Sequence, residues 1–214
     1  MIKGTARVRC PGCGTEQDVA LVQSINTRTD RDAKQRLVAG ELNILACACG
    51  KRTQLVATLV FHDPDADFYA QVVPGGPDEM AKAGELLQAT LGPGTSTRRL
   101  VPTQNALLEK VKILDAGLAD WAIEMMKVLL LASLGDGELA RVLLFDRIEP
   151  ANDTHPALIH WVLFDEQGRE PRAQASPIAQ YEKLVSRAAP GPDELQIDRA
   201  WAVAAVRAMI EGAN

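Results

Sequence analysis

Short stretches of alternating hydrophobic and polar residues dominate the first third of the chain and predict β-strands. Alternation with a period of two is typical of a strand that buries one face. The stretch at residues 5–9 runs directly into Cys10, and the stretch at 42–46 runs directly into Cys47. Further strands are predicted at 18–22, 53–61 and 68–73, the last two forming a hairpin, and a helix is predicted at 30–39.

Longer apolar periodicities begin at residue 78 and predict helices around a small sheet. Helices are predicted at 78–90, 105–114, 120–134, 178–188 and 197–210, and strands at 98–101, 139–148, 158–164 and, after a turn at 166–169, near Arg172. The segment 120–134 is apolar on nearly every side, which is typical of a helix buried in a core. Packing in a subunit interface is the alternative for this helix and for 197–210.

Two clusters of glycine and proline, at residues 74–77 and 92–94, divide the chain. Such clusters end regular elements and are natural hinges. We therefore predict an N-terminal domain over residues 1–74, a linker with a short helix over 75–97, and an acidic C-terminal domain over 98–214.

Composition and charge exclude several classes of protein. The chain has 214 residues, 47% hydrophobic and 24% charged, as an ordinary globular protein does. Its net charge is −5, with +1 in residues 1–75 and −6 in residues 76–214. This balance disfavours nucleic acid as a partner, because phosphate binding needs a basic excess. No apolar run approaches the roughly 20 residues that cross a bilayer, and no signal-peptide pattern is present, so we expect a cytoplasmic protein without a membrane role.

Four cysteines form two closely spaced pairs, Cys10 with Cys13 and Cys47 with Cys49. Cytoplasmic thiols stay reduced, which favours metal binding over disulfides. Two cysteines on a tight turn direct both sulfurs at one ion, and neighbouring glycines free backbone N–H groups for the thiolates. Four tetrahedral thiolates select Zn²⁺. Because they leave no open coordination position, the predicted zinc site is structural.

The spacing of the two pairs departs from a simple zinc ribbon. The 33 residues between Cys13 and Cys47 exceed the usual roughly 15–20, and the predicted helix at 30–39 accounts for them as an insertion. The second pair is Cys-x-Cys, with a tighter bite. Four unliganded thiols, or a redox pair at Cys10 and Cys13, are the alternatives. The predicted fold class is α+β: a zinc ribbon-like β domain with a helical insertion, then an α+β domain whose helices flank a small antiparallel sheet.

A wider set of motifs resembles the bacterial CpXC-domain proteins. In the family's order run Cys-Pro-Gly-Cys-Gly at 10–14, Ser-Ile-Asn at 24–26, Ala-Gly-Glu-Leu-Asn at 39–43, Cys-Ala-Cys-Gly-Lys at 47–51 and Phe-His-Asp at 61–63. Residues 105–110, 115–120 and 124–127 are similar to the helical region that follows this domain in many such proteins. The family has Cys-Pro-x-Cys twice, whereas the second copy here lacks the proline and is one residue shorter. The resemblance implies a zinc-binding domain and no particular reaction, since the family is functionally uncharacterised.

Three further groups of residues are weighed as sites. His62 precedes three aspartates, Asp63, Asp65 and Asp67, which favours a solvated hairpin turn over a cation site because the loop lacks the glycine and terminal glutamate of an EF-hand. His155 and His160 lie at a strand entrance and are expected to point to opposite faces. The third group is a set of charged residues that could serve acid–base catalysis but more often marks solvated faces of helices. Its members are Glu109, Lys110, Asp115, Asp120, Glu124 and Lys127.

These observations favour a non-enzymatic protein that binds a protein partner or itself. No nucleophile elbow, Walker loop, dinucleotide fingerprint or zinc-protease motif occurs, so no catalytic residue, further cofactor or small-molecule substrate is predicted. The alternative is a thiol-redox protein or an enzyme that uses Cys10 and Cys13 or the Glu109–Lys127 cluster. A nucleic-acid-binding ribbon, suggested by Arg7, Arg9, Lys51 and Arg52 near the cysteines, is opposed by the overall charge.

Overall fold

The computed structural model describes residues 1–92, 94, 96–135, 140–165, 171–186 and 194–212. These residues form two compact units. The first contains Met1–Leu108 together with Glu194 and Leu195, and the second contains the described residues from Glu109 to Ser186 and from Gln196 to Gly212. The elements in chain order are β1 (Ile2–Arg9), β2 (Glu16–Asn26), α1 (Arg31–Val38), β3 (Ile44–Ala46), β4 (Arg52–Gln54), β5 (Leu59–Asp63), β6 (Phe68–Val72), α2 (Pro77–Leu91), β7 (Thr97–Val101), α3 (Gln104–Asp115), α4 (Asp120–Leu134), β8 (Val142–Glu149), β9 (Leu158–Phe164), β10 (Arg172–Pro177), α5 (Ile178–Val185) and α6 (Arg199–Glu211).

The first unit is built on a five-stranded sheet in the order β1-β2-β5-β6-β7. The pairs β1–β2 and β5–β6 are antiparallel hairpins, whereas β2–β5 and β6–β7 are parallel. Alternating residues of β5 and β6 are buried, among them Leu59, Phe61 and Ala70. Helix α2 buries Met80 and Leu87 in a cluster with Leu100. The alternation that predicts these strands therefore does reflect one-sided burial.

A separate two-stranded hairpin, β3–β4, carries the second cysteine pair. Helix α1 lies between β2 and β3 in the chain, at the place predicted for a helical insertion, and buries Ala33 and Leu37. The predicted strand at 53–61 is two strands, β4 and β5, with no regular structure at residues 55–58. The second cysteine pair thus lies on a hairpin whose backbone ladder is not part of the main sheet.

The second unit has helices beside an antiparallel sheet in the order β10-β9-β8, as the sequence predicts. Phe145 and Trp161 pack edge to face, with ring centroids 6.3 Å apart. The indole N–H of Trp161 donates to the Ser176 hydroxyl at 3.0 Å, so this buried donor has a partner. Helix α4 is buried along residues 120–128 and packs with α5 and α6, which confirms the expectation that this helix lies in the core.

The chain divides into compact units after Leu108, and the predicted strand at 98–101 is β7 of the first unit's sheet. The domain limits at residues 74 and 97 stay a prediction. The turn predicted at 166–169 lies outside the described residues. No helix in the described ranges combines the length and apolarity needed to cross a bilayer.

Candidate metal centre

The first cysteine pair lies in the turn between β1 and β2. The backbone N–H of Cys10 donates to the carbonyl of Thr15 at 2.9 Å, and the N–H of Gly14 donates to the carbonyl of Cys10 at 2.9 Å. Gly14 has φ 76°, in the left-handed region that glycine adopts without steric cost. The glycine that follows the pair therefore closes the turn and returns the chain into β2.

The second pair repeats this turn with one residue fewer. The N–H of Cys47 donates to the carbonyl of Lys51 at 3.0 Å, and the N–H of Gly50 donates to the carbonyl of Cys47 at 2.9 Å. Gly50 has φ 85°. Each closing hydrogen bond spans one residue less than its counterpart in the first turn. The Cys-x-Cys sequence accordingly forms a closed turn between β3 and β4.

The two turns bring all four predicted metal ligands together. The sulfur atoms of Cys10, Cys13, Cys47 and Cys49 all lie within 4.8 Å of one another. The Cys10 and Cys49 sulfurs are 3.7 Å apart, and the Cys13 and Cys47 sulfurs are 3.5 Å apart. Tetrahedral coordination with metal–sulfur bonds of about 2.3 Å places sulfurs about 3.8 Å apart. The four cysteines are therefore close enough to hold one metal ion.

Hydrogen bonds favour the thiolate form of the first pair. The backbone N–H of Gly12 lies 3.4 Å from the Cys10 sulfur, and this bond lowers the pKa of Cys10. The Cys13 sulfur is hydrogen-bonded to the Thr15 hydroxyl at 3.3 Å. The side chain and backbone N–H of Thr15 lower the pKa of Cys13 to about 6. The first turn thus favours the thiolate form of both of its cysteines.

Cys47 shows the electrostatic cost of placing four sulfurs so close together. The backbone N–H of Cys49 favours the Cys47 thiolate, but the neighbouring sulfurs of Cys13, Cys10 and Cys49 outweigh it and raise the pKa of Cys47 to about 12. Four thiolates so close together repel one another unless a cation lies between them. A divalent cation removes that repulsion and deprotonates its thiol ligands. The cluster has the electrostatics of a metal-binding site.

The hairpins approach each other closely at the cysteines. A Cβ atom at Gly12 would lie 3.4 Å from the Lys51 Cβ and 3.6 Å from the Cys49 sulfur. The side-chain amide of Gln17 donates to the carbonyl of Ala46 at 3.2 Å. Cys10 is buried, Cys47 is half-buried, and Cys13 and Cys49 are exposed. One side of the cluster therefore faces solvent.

The carboxylates of the acidic loop after His62 are hydrogen-bonded or ion-paired to other side chains of the protein. Asp63 is buried and accepts hydrogen bonds from Lys34 and Thr27, each at 3.0 Å. Asp65 pairs with Arg28 at 2.7 Å, and Asp67 accepts a hydrogen bond from the Ser96 hydroxyl. Burial alone would raise the pKa of Asp63, but the bonds from Lys34 and Thr27 hold it below its ordinary value. The loop forms the expected β5–β6 turn, but the expectation of a solvated turn is wrong for Asp63, which is 6% exposed and lies at the end of β5.

His155 and His160 share one carboxylate. His160 Nε2 lies 2.5 Å from Glu149 Oε2, and His155 Nε2 lies 3.1 Å from Glu149 Oε1. The expectation of opposite faces is wrong, because His155 precedes β9, and strand alternation does not extend to it. The bond from His160 lowers the pKa of Glu149. This carboxylate joins β8 to the entrance of β9.

The charged helix residues correct a further expectation. Asp115 is exposed, but the other five members of the Glu109–Lys127 cluster are each less than 9% exposed, so the interpretation as solvated helix faces is wrong for them. Lys127 Nζ lies 2.8 Å from Glu109 Oε1 and 3.0 Å from Glu124 Oε1. Lys110 Nζ lies 3.0 Å from Asp120 Oδ2 and donates to the carbonyl of Ile197 at 2.7 Å. The cluster is a buried ion-pair network.

Opposite charges favour the ionised forms of Glu124 and Lys127 in this network. Burial alone would raise the pKa of Glu124, but the charges of Lys127 and Lys110 hold it below its ordinary value. Burial alone would lower the pKa of Lys127, but Glu109 and Glu124 raise it. Glu109 also accepts a hydrogen bond from the backbone N–H of Phe145 at 2.7 Å. The ion pairs and hydrogen bonds of these charged side chains connect α3, α4 and β8.

Comparisons with curated proteins and with solved structures found no match. The family model described as CpXC protein matches residues 8–127, more than half of the chain. The matched range begins just before Cys10, contains both cysteine turns and ends within α4. Together with the clustered cysteines, this match shows that the chain belongs to the CpXC family.

Proposed function

We propose that this CpXC protein binds one Zn²⁺ ion through Cys10, Cys13, Cys47 and Cys49, and that the ion is structural. The observation that carries the proposal is the gathering of four sulfurs within 4.8 Å. Zinc suits four thiolates because it is soft enough for sulfur, needs no particular d-electron geometry and is redox-inert. Two cysteine turns on two β-hairpins form a zinc ribbon-like module. Four protein ligands leave no position for substrate or water.

The ion would hold together two hairpins that share no backbone ladder. The β3–β4 hairpin is a sheet of its own, whereas β1 and β2 belong to the five-stranded sheet. A zinc ion bonded to both turns joins them through four metal–sulfur bonds. Because the unfolded chain has no such site, the binding free energy adds to the free energy of folding.

The protein's role is that of a non-enzymatic interaction module in the cytoplasm. The cytoplasm keeps zinc-binding thiols reduced. Residues 76–214 carry a net charge of −6, which disfavours a nucleic acid, so the partner is another protein or a second copy of the chain. Half-buried Trp201 and Val203 and exposed Ile210 on α6 provide apolar contact area.

Serine substitution of one ligand tests the structural role of zinc. We expect Cys10→Ser to lower zinc content and to speed amide hydrogen exchange in β1–β4, while exchange in the second unit stays unchanged. Ala46→Ser, an exposed neighbour of Cys47, is the matched control and should behave as wild type. Unchanged zinc content and exchange in Cys10→Ser would contradict a structural site.

For the interaction role, a zinc-loaded protein that stays monomeric and forms no complex in cross-linked cells would contradict the proposal.

A thiol-redox function is the second candidate, and exposed Cys13 with its lowered pKa favours it. This function predicts fast alkylation of Cys13 by iodoacetamide, slowed in Thr15→Val, which removes the hydroxyl beside the sulfur. The zinc proposal predicts slow alkylation of all four thiols until a chelator is added. One alkylation series before and after chelation separates the two functions.

A further inference from the structure

A buried amide pair, Asn43 and Gln104, links the strand that leaves the first cysteine turn to the strand that enters the second. Asn43 is 4% exposed and Gln104 is 8% exposed. Asn43 immediately precedes β3, and Cys47 immediately follows it. Gln104 begins α3, 61 residues further along the chain. Both residues belong to the first unit.

The Asn43 side chain takes the place of a strand neighbour for β2. Its Oδ1 accepts a hydrogen bond from the backbone N–H of Val22 at 2.7 Å, and its Nδ2 donates to the carbonyl of Val22 at 3.1 Å. The parallel pairing of β2 with β5 begins only at Ser24. One side-chain amide therefore satisfies both backbone groups of a buried strand residue, and it does so from the hairpin that carries Cys47 and Cys49.

Gln104 fixes the orientation of this amide. Asn43 Nδ2 also donates to Gln104 Oε1 at 3.2 Å, and Gln104 Nε2 donates to the carbonyl of Leu42 at 3.0 Å. Gln54 in β4 donates to the carbonyls of Leu42 and Asn43 at 3.1 and 3.2 Å. Asn43 has φ 54°, a left-handed conformation that asparagine tolerates better than most residues. The entrance to the second hairpin is thus held at a defined angle by buried polar contacts.

We propose that Asn43, oriented by Gln104, is a positioning residue that sets the second cysteine hairpin at ligand distance from the first. The inference rests on the proposed function, since it assumes that the four sulfurs bind one ion. Side chains that orient metal ligands without touching the metal change metal affinity by about 10- to 100-fold. The Asn43–Gln104 pair acts in this way through the backbone of β3, and its effect appears as preorganisation of the site.

The test measures Zn²⁺ affinity by chelator competition in the full chain. Asn43→Gly removes the amide and keeps a residue that accepts positive φ, and we expect about a 10- to 100-fold weaker affinity. Gln104→Met keeps the volume of the side chain and leaves the two Asn43–Val22 bonds, so a smaller loss is expected. Gln35→Ala, an exposed amide on α1, is the control. Saturating Co²⁺ should give the same thiolate charge-transfer spectrum in every variant, because the four ligands are unchanged.

Hydrogen exchange in the metal-free proteins makes the test independent of zinc binding. We expect Asn43→Gly to speed exchange in residues 44–54 relative to β5 and β6. Wild-type affinity and wild-type exchange in both amide variants would overturn the positioning role. A wild-type protein that binds no Zn²⁺ would overturn the proposed function, and the exchange of residues 44–54 would still decide whether Asn43 holds the hairpin.

Discussion

Gly14 and Gly50 occupy equivalent places in the two cysteine turns, with φ 76° and 85°. Each donates its backbone N–H to the carbonyl of the first cysteine of its own turn at 2.9 Å. The two turns differ in length by one residue, yet both end in a left-handed glycine that directs the chain into the returning strand. A shared backbone solution therefore compensates for the shortened second pair.

Substitution of Gly50, the glycine that closes the second cysteine turn, should lower both the free energy of unfolding and the affinity for zinc. A Cβ atom added at Gly50 would have no atom within 4 Å. The loss of unfolding free energy in Gly50→Ala therefore comes from the left-handed backbone conformation and is about 1–2 kcal/mol. Gly40→Ala is the matched control, since Gly40 has φ 68° and equally open space but lies at the end of α1. We expect similar losses of unfolding free energy in both variants and a loss of zinc affinity in Gly50→Ala alone. Equal zinc affinities in the two variants would contradict a role for the turn.

Asp63 should make stability depend on pH in the acid range. Its pKa is held below the ordinary value by Lys34 and Thr27, so the ionised form stabilises the fold above the unfolded pKa of about 3.9. That contribution is lost as pH falls through the lower folded pKa. We expect Asp63→Asn to cost about 1–3 kcal/mol at pH 7 and to flatten the fall of unfolding free energy below about pH 4. Urea unfolding from pH 2 to 7 measures both effects.

The exposed Asp65→Asn is the control for this pH dependence. Asp65 pairs with Arg28, and the side chains are 71% and 61% exposed. Exposed pairs contribute about 0–1 kcal/mol, so the acid limb should match that of wild type. Identical pH profiles for Asp63→Asn and wild type would show that the Lys34 and Thr27 contacts do not depress the pKa of Asp63.

The buried ion-pair network should be sensitive to loss of one member. Lys127→Met leaves Glu109 and Glu124 buried without their shared cation, and such a change costs about 3–5 kcal/mol. Lys82→Met is the control, because Lys82 pairs with Glu79 on the exposed face of α2, and we expect a loss below about 1 kcal/mol. Denaturant unfolding monitored by far-UV circular dichroism, which reports on both units, compares the two. Equal small losses would contradict the network's structural importance.

Local patterns predicted the cysteine turns and most elements because their causes are local. A strand before each turn, a glycine after it and alternation in β5 and β6 depend on neighbouring residues, and all are found in the structure. The CpXC resemblance is confirmed over residues 8–127. The four cysteines were predicted to lie together from their two spacings, and they do.

Contacts between residues far apart in the chain were not predictable in this way. The Asn43–Gln104 hydrogen bond spans 61 residues, and nothing in either local sequence indicates the other. Glu124 and Lys127 have the i,i+3 spacing of an ordinary helix surface, and that spacing does not indicate the buried contacts of their network with the backbone of Phe145 and Ile197. His155 contacts Glu149 because it precedes β9, a boundary that periodicity does not define to the residue.

Zinc content together with a thiol count on the purified protein tests the central claim most directly. Elemental analysis gives the metal per chain, and titration of thiols before and after chelation gives the number of sulfurs that the metal protects. The proposal predicts one zinc per chain and four thiols that react only after chelation. A protein without metal, whose Cys10 and Cys13 thiols react rapidly from the start, would contradict it and favour the redox function.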